Sequence, residues 1–432
     1  MIFCIYKFLC YNILMIYLDH AAATPVDKRV FEAMRPYFLD DFFNPSAAYL
    51  PAKKVVADYE AAKGTIAHAI GAKASDIVIT AGATEANNLA MVGVLTEMVS
   101  ARAAFARPVA TGGRRSSSRC RAPEALRRDI SATQTSSSKL LYLVTEHDSV
   151  RKVAERYGGQ AIKVLPNGLI DLDDLRAKIT DETELVSVSL VNNELGTIQP
   201  MTEIAGIIRE ERLNRMKAGN TTPIYLHSDA SQALNLLDIN VARLGVDLMT
   251  LNAAKIYGPK GVGALYVAHG VKLQPITQGG EQENGMRSGT ENVPGVIGFA
   301  KAVEIAKGHL NGNRKKYAGW RKILLSELKD YELINKKHAL DNFVVLCYNC
   351  TDAERLIYLL EDRGICVSTG AACAASKGVR SHVLTAIGLS DAEIAGSLRL
   401  TMGETNTEEQ IHEAARIINE VVANERERIS RE

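Results

Sequence analysis

Residues 224–261 read IYLHSDASQALNLLDINVARLGVDLMTLNAAKIYGPKG and contain two short strand patterns, Ile224–His227 and Leu248–Leu251. A polar residue follows each of them closely, Asp229 after the first and Lys255 after the second. Short apolar strands that are separated by helices indicate βαβ units and a parallel sheet with helices on both faces. Such sheets bind ligands outside the carboxyl ends of their strands. The polar residues that directly follow a strand are therefore the candidates for chemistry.

The same alternation extends over most of the chain. Further strands are predicted at 77–79, Leu140–Val144 and Leu185–Leu190. Helices are predicted at Lys53–Ile70, from Thr84 onward, at Leu172–Lys178 and at Thr202–Leu213. The pattern predicts an α/β fold in which residues 16–295 form a large domain around a mainly parallel sheet.

The pattern changes after Pro294. Helical segments at 296–330 lead into a strand at Phe343–Cys347, a helix at Ala353–Arg363, a strand at Ile365–Ser368 and a last helix from Glu408. We expect residues 296–432 to form a smaller C-terminal α/β domain.

The composition is that of an ordinary globular protein. The chain has 432 residues, 47% of them hydrophobic and 23% charged, which excludes a mostly disordered or collagen-like protein. Its net charge is +1, so no overall field favours nucleic acid or an anionic membrane. Seven cysteines are too few for a disulfide scaffold and favour free thiols in a reducing compartment. A cytoplasmic protein that binds neither membranes nor nucleic acid directly is expected.

Two segments depart from this pattern. Residues 1–15 are a hydrophobic extension with Met15 as a possible start, and a tail packed on the fold or an anchor are the alternatives. Residues 101–139 carry nine basic and two acidic residues and are rich in Ser and Arg. They are predicted to be a disordered surface insertion, with docking to an acidic partner as the alternative.

Lys255 and Asp229 together suggest a particular cofactor. A partly desolvated lysine at a strand end can form a Schiff base. A buried carboxylate that pairs with a pyridinium nitrogen keeps the ring of pyridoxal phosphate an electron sink. Asp229, with Gln232 three residues on, precedes Lys255 by one strand. The alternative, that Asp229 only caps the turn after its strand, stays open at this point.

A phosphate site is predicted where a strand turns into a helix at Ala81–Glu85. Small residues let the backbone approach a ligand, the first helical turn offers N–H groups, and Thr84 adds a hydroxyl. His147 follows the strand Leu140–Val144, where an imidazole could stack on a flat cofactor or move protons. An ordinary helix cap at Thr84 and a structural histidine at 147 are the alternatives.

Two residues of the C-terminal part are candidates for catalysis and substrate binding. The segment Ser368–Gly378 places Cys373 among small and polar residues, where a thiol is either a nucleophile or an inert surface group. Arg399 lies between apolar residues, so it needs either a substrate carboxylate or an internal salt bridge. Cys347 and Cys350 form a CxxC without a second pair, and no metal site is predicted.

Taken in order, these segments resemble the pyridoxal-phosphate-dependent cysteine desulfurases of the NifS and IscS type, within the class V aminotransferases. The resemblance runs from Tyr17 to about Gly403 and is interrupted by the 101–139 segment. It is carried by 17–22 (YLDHAA), 82–88 (GATEANN), 145–147 (TEH), 191–197 (VNNELGT), 255–261 (KIYGPKG), 287–292 (RSGTEN) and the Cys373 loop. It implies the fold type I of pyridoxal-phosphate-dependent transferases.

The resemblance also implies roles for the matching residues. Lys255 would hold the cofactor as a Schiff base and move the Cα proton. His147 would stack on the ring and take part in proton transfer, and Cys373 would attack the substrate sulfur. The other cofactor-binding residues would be Ala83, Thr84 and Asn252 at the phosphate, Asp229 at the pyridinium nitrogen, Gln232 and Asn193 at the phenolic oxygen, and Thr290 from the neighbouring subunit. Arg399, with help from Asn193, would bind the substrate carboxylate.

The chain departs from the family at the residues before Lys255. The family usually has Ser-Gly-His there, whereas this chain has Asn252, Ala253 and Ala254. The amide of Asn252 could still donate to a phosphate, but Ala254 cannot, so weaker cofactor binding is expected. Tyr49 stands where the family has an early histidine.

The expected function is that of an L-cysteine desulfurase, which releases alanine and leaves a persulfide on Cys373. A homodimer and a sulfur-acceptor protein are the implied partners. The spacing between Cys373 and His382 matches the long-loop subgroup, which implies iron–sulfur cluster assembly or tRNA thiolation. The alternatives are another class V activity, such as selenocysteine lyase or an aminotransferase, and a non-catalytic scaffold, which Ala254 would favour.

Overall fold

The structure is a computed structural model that describes residues 15–105, 139–369 and 380–431. The hydrophobic extension before Met15, most of the basic 101–139 segment and Cys373 lie outside the described residues.

A central sheet of seven strands forms the middle layer of the fold. Its strands are β2 (Ile77–Thr80), β3 (Leu140–Leu143), β4 (Gln160–Ile162), β5 (Leu185–Ser187), β6 (Tyr225–Asp229), β7 (Leu248–Asn252) and β8 (Gly263–Val267). They lie in the order β2-β8-β7-β6-β5-β3-β4. Only β8 runs against the others, since it pairs antiparallel with both β2 and β7. The prediction of a mainly parallel sheet is confirmed.

The described helices are α1 (Lys28–Met34), α2 (Pro36–Leu39), α3 (Leu50–Ala69), α4 (Ala83–Phe105), α5 (Asp148–Arg156), α6 (Leu172–Lys178), α7 (Met201–Lys217), α8 (Val241–Leu244), α9 (Val293–Glu327), α10 (Ala353–Asp362), α11 (His382–Ala386), α12 (Asp391–Ala395) and α13 (Glu408–Arg431). Strands β2, β3, β5, β7 and β8 are almost wholly buried because apolar residues follow one another along them, as in a sheet that is covered on both faces. No helix within 15–105, 139–369 or 380–431 is long and apolar enough to cross a membrane.

The C-terminal part contains two smaller sheets. Strands β9 (Glu332–Leu333), β10 (Phe343–Cys347) and β12 (Ser397–Thr401) form an antiparallel sheet with β10 in the middle. Strands β1 (Ile16–Tyr17) and β11 (Ile365–Cys366) pair in parallel, so the first described residues lie against the C-terminal part of the chain. The division at residue 295 remains a prediction.

The main differences from the predicted elements concern strands. The sequence patterns did not indicate β4 and β8. Strand β5 ends at Ser187 rather than Leu190, but the N–H of Leu190 still donates to the carbonyl oxygen of Asp229 at 2.9 Å. The chain after β5 therefore stays beside the end of β6, where the candidate site lies.

Candidate active site

Lys255 ends the 3-10 turn that directly follows β7. Its half-buried amine donates hydrogen bonds to the carbonyl oxygens of Ala21 at 2.8 Å and Ala22 at 2.5 Å. The side-chain amide of Gln232, which follows β6, donates to the same Ala21 oxygen at 3.0 Å. The segment after β1 thus brings the predicted lysine and the predicted glutamine to one place.

Asp229 is the last residue of β6, and it pairs in register with Thr250 of β7. Only 9% of its surface is exposed. Its Oδ1 accepts from the N–H of Ser231 at 2.9 Å, and its Oδ2 accepts from the side-chain amide of Asn87 at 2.8 Å. The carboxylate therefore caps a turn and also lies at the carboxyl end of the sheet, next to the strand that leads to Lys255.

His147 is the N-cap of α5, and its Nδ1 accepts a hydrogen bond from the N–H of Ser149 at 3.1 Å. Because Nδ1 accepts, the neutral ring carries its proton on Nε2. Burial is the largest of the effects that lower the pKa of His147, and the charge of Lys255 lowers it further. The ring is therefore held neutral at the edge of the sheet where Asp229 lies.

A second carboxyl group lies beside this histidine. Glu146 is fully buried, and its Oε1 accepts from the N–H of Ser189 at 2.5 Å. Its Oε2 has no hydrogen-bond partner within the described parts of the chain. Burial, together with the charge on Asp229, raises the pKa of Glu146 well above its usual value. Glu146 is thus a neutral acid next to a carboxylate that has two donors.

A cleft of about 590 Å³ opens at the N-terminus of α4. Its lining includes Ala83, Thr84, Asn88, Asn252 and Ala254. Gly82, another lining residue, packs closely on Gly263 of β8, where a Cβ would come within 2.8 Å of the Gly82 backbone.

The cleft brings together the residues that the sequence assigns to a phosphate. Helix N–H groups, the Thr84 hydroxyl and the Asn252 amide are neutral donors that suit an anion. Among its described lining residues, Glu85 is the only charged one, and the guanidinium of Arg287 pairs with it at 2.8 Å. This donor set fits a phosphate group but supplies no cation from the lining itself.

Arg399 lies on β12 and is 3% exposed. Its Nη2 forms an ion pair with Asp19 at 2.6 Å, and its Nη1 donates to the carbonyl oxygen of Asn193 at 2.9 Å. The internal salt bridge that the sequence left open is therefore present. The hydrogen bond to Asn193 places the guanidinium beside the other residue that is predicted to bind the substrate carboxylate.

The described residues on either side of the segment that holds Cys373 form hydrogen bonds close to Arg399 and His147. Ser368 pairs with Arg399 through backbone hydrogen bonds in both directions. On the other side, the hydroxyl of Ser381 donates to the buried Glu194 at 2.5 Å. The ring of His382 lies 2.9 Å from the carbonyl oxygen of Glu146.

Thr290 is exposed and does not line the cleft. Its predicted contact is with the phosphate of a neighbouring subunit, and that contact remains a prediction.

Sequence reasoning did not identify Asn87, Ser149 and Glu146 as parts of the site. A signal for Asn87 was available, because it lies one helical turn after Thr84 within the quoted segment 82–88. Glu146 precedes His147 directly and Ser149 follows it by two residues. His147 is the N-cap of α5, and its side chain accepts a hydrogen bond from the N–H of Ser149.

Three comparisons with known proteins agree with this geometry. The class-V aminotransferase family matches residues 16–105 and 121–413, and the break falls inside the basic 101–139 segment. A "Cysteine desulfurase IscS" from Methanosarcina thermophila is 36% identical over 416 residues, which is 94% of this chain and 92% of that protein.

Solved structures extend the likeness to the fold. A "NifS-like protein" superimposes with a TM-score of 0.78 at 27% identity, covering 95% of this chain and all of the other. A structure described as "SspA in complex with cysteine" gives a TM-score of 0.70 at 31% identity, covering 89% of this chain and 98% of the other. Because it is matched over most of its length, the chain belongs to the class-V aminotransferases, among the cysteine desulfurases of the IscS and NifS type.

Proposed function

We propose that this protein is an L-cysteine desulfurase that moves sulfur from free cysteine to Cys373 and releases alanine. The observation that carries the proposal is the grouping of Lys255, Asp229 and a cleft lined by neutral donors at one edge of the sheet, with the residues on both sides of the Cys373 segment bonded nearby. The family is one of enzymes that depend on pyridoxal phosphate.

The residues present fit that cofactor. Thr84, the backbone of Ala83 and Asn252 would hold its phosphate, and Asp229 would pair with its ring nitrogen. Gln232 and Asn193 would reach its phenolic oxygen, and Lys255 would bind its aldehyde carbon. When bound, pyridoxal phosphate supplies an electron-withdrawing ring that makes the Cα–H of the substrate acidic.

The chain's own residues account for proton movement and orientation. The amine of Lys255 lies at the carbonyl oxygens of Ala21 and Ala22, which hold it in a fixed position from which it can take the Cα proton. His147 presents its Nε2 proton because Nδ1 acts as the acceptor toward Ser149. We assign His147 the role of a donor at Nε2 that stacks on the ring of the cofactor.

Arg399 would bind the carboxylate of cysteine. Its planar guanidinium suits a carboxylate, and it already pairs with the side-chain carboxylate of Asp19. The carbonyl oxygen of Asn193 fixes the orientation of the guanidinium.

The sulfur step needs no external oxidant. The thiolate of Cys373 attacks the sulfur of the substrate, so an S–S bond forms while the Cβ–S bond breaks. The electron pair of the broken bond stays with the carbon skeleton, which takes up protons to give alanine. Cysteine and one enzyme thiol thus become alanine and one enzyme persulfide, and a thiol reductant or an acceptor protein then removes the outer sulfur.

A homodimer is part of the proposal, because Thr290 would complete the phosphate site of a second copy. Large apolar side chains that are more than half exposed are concentrated near the N-terminus, and they support a protein interface there. Six of the eight such side chains among the described residues lie there, namely Phe31, Phe38, Leu39, Phe42, Tyr49 and Leu50, and the other two are Met216 and Tyr358. A sulfur-acceptor protein of iron–sulfur assembly or tRNA thiolation would be the second partner, and a cytoplasmic location is consistent with free thiols.

The proposal is tested by measuring alanine and sulfide that form from L-cysteine in the presence of a thiol reductant. Cys373→Ala should abolish both products and keep the visible absorbance of the bound cofactor. Cys350→Ala removes an exposed thiol outside the site and should leave turnover unchanged. Full turnover by Cys373→Ala would contradict the proposed mechanism and favour another class V activity.

A further inference from the structure

Asn87 lies behind the site and is not one of the residues that line the cleft. It is on α4, one turn after Thr84, and its side chain is fully buried. Its Nδ2 donates to Oδ2 of Asp229 at 2.8 Å and to the hydroxyl oxygen of Ser149 at 2.8 Å. One amide group therefore connects the end of β6 to the start of α5.

The direction of these hydrogen bonds is fixed. An amide nitrogen carries two hydrogens and accepts nothing, so Asp229 and Ser149 must both be acceptors toward Asn87. The hydroxyl oxygen of Ser149 also lies 2.9 Å from Nδ1 of His147, and having accepted from Asn87 it can donate its own proton there. The hydrogen bonds thus run in one chain from Asp229 through Asn87 and Ser149 to His147.

Retaining an asparagine here has a cost. Its Oδ1 is buried without a hydrogen-bond partner in the part of the chain that the structure describes. An unpaired buried acceptor destabilises a fold, whereas a leucine of similar size would not. This cost, together with the contacts of Asn87 with the predicted cofactor ligand Asp229 and with Ser149, which holds Nδ1 of His147, suggests a functional role.

We propose that Asn87 is a positioning residue that fixes the carboxylate of Asp229 and the imidazole of His147 relative to each other. The inference rests on the proposed function, since it concerns the cofactor site of that enzyme. Asn87 has two arms, namely its hydrogen bond to Asp229 and its hydrogen bond to Ser149. We expect cofactor binding to depend on the Asp229 arm, and the titration of His147 to depend on the Ser149 arm.

The variants separate the two arms. Asn87→Leu removes both arms, and Ser149→Ala removes only the hydroxyl. The control is Asn342→Leu, because Asn342 is also a buried asparagine with one donated hydrogen bond and an Oδ1 that has no partner among the described residues, but it lies beside Met402. Circular dichroism and thermal unfolding show whether each variant is folded.

The first readout is the affinity of the cofactor-free protein for pyridoxal phosphate. Asn87→Leu should bind about tenfold more weakly than Asn342→Leu, because one hydrogen bond to a buried carboxylate is lost. Ser149→Ala should lose much less, since its Asp229 arm is intact. The pH at which the visible absorbance of the bound cofactor changes should shift in Asn87→Leu alone.

The second readout needs no cofactor. The imidazole of His147 is titrated by NMR in protein with ¹⁵N-labelled histidine, and His147→Gln identifies its signal. The charged or titratable groups that act on the ring are Asp229, Asp148, Lys255 and His382, and every variant retains them. Both Asn87→Leu and Ser149→Ala should raise the pKa of His147, because nothing then orients a hydroxyl proton toward Nδ1.

The proposal is overturned if folded Asn87→Leu matches Asn342→Leu in cofactor affinity and matches the wild type in the His147 titration. If Asn87→Leu does not fold, an unchanged titration of His147 in Ser149→Ala overturns it instead. If the wild-type protein does not bind pyridoxal phosphate, the proposed function fails, and the titration alone decides between a raised pKa, which supports the role of Asn87, and an unchanged one, which contradicts it.

Discussion

Lys255 and Gln232 donate hydrogen bonds to the same atom, the carbonyl oxygen of Ala21, at 2.8 and 3.0 Å. Ala21 is 234 residues before Lys255 in the chain. The short segment after β1 therefore orients the side chains of Lys255 and Gln232, which follow the neighbouring strands β7 and β6 of the central sheet. A fixed amine at the carboxyl end of a parallel sheet is the geometry that the proposed chemistry needs.

The two roles of His147 can be separated by amide side chains. Asn reproduces the position of Nδ1 and can cap α5, whereas Gln reproduces the position of Nε2 and loses the cap. We expect His147→Asn to keep the free energy of unfolding and to lose at least about tenfold in desulfurase rate. His147→Gln should retain more activity but lose about 1 kcal/mol of stability.

Urea unfolding and alanine formation measure the two effects on the same preparations. A His147→Asn enzyme as active as the wild type would show that the Nε2 proton is not used.

The affinity of the cleft for the cofactor phosphate should increase when a donor is added. The described lining provides only neutral hydrogen-bond donors. Its one charged residue, Glu85, is an acceptor and is paired with Arg287. Ala254→His adds a donor that can be charged beside a phosphate, so cofactor affinity should rise by about tenfold. The change is measured by titrating cofactor-free protein with pyridoxal phosphate.

Ala254→Leu is the matched control, because it adds volume without a donor. Equal affinities for the histidine and leucine variants would mean that position 254 does not face the phosphate.

Glu146 should make the protein less stable as the pH rises. Burial, together with the charge on Asp229, raises its pKa in the folded state well above the value of an exposed glutamate, so the folded protein binds a proton that the unfolded chain releases. The free energy of unfolding should therefore fall with increasing pH above about 4.5, by up to about 1.4 kcal/mol per pH unit until the folded-state pKa is passed.

Glu146→Gln removes this dependence and should be more stable than the wild type at pH 8. Urea unfolding of wild type and variant at pH 5 and pH 8 tests it, with the exposed Glu60→Gln as the control. A difference between Glu146→Gln and the wild type that is the same at both pH values would contradict a neutral Glu146.

Much of the site could be predicted from the sequence because the carboxyl ends of parallel strands meet at one edge. Asp229 after β6, Lys255 after β7 and Thr84 after β2 each follow a recognisable strand, and the sheet order brings β6 and β7 side by side. The small-residue loop already made Cys373 a candidate nucleophile, although it lies outside the described residues, and the family resemblance, which the comparisons confirm, added Thr290.

The other parts of the site and of the sheet depend on tertiary contacts, which local sequence patterns do not indicate. Asn87 looks like any polar helix residue until packing turns its amide toward Asp229, and the pair of Arg399 with Asp19 joins residues 380 positions apart. Strand β8 was missed because its five residues contain an alanine and a glycine, which weaken the strand signal, and its pairing with β2 and β7 forms only in the folded sheet.

The central claim is that the amine of Lys255 binds pyridoxal phosphate covalently. The direct test is to reduce the protein with borohydride in the presence of its cofactor and to map the modified peptide by mass spectrometry. We expect one phosphopyridoxyl group on Lys255 and none on Lys260, the exposed lysine of the following turn. A cofactor-loaded protein in which Lys255 stays unmodified would contradict it.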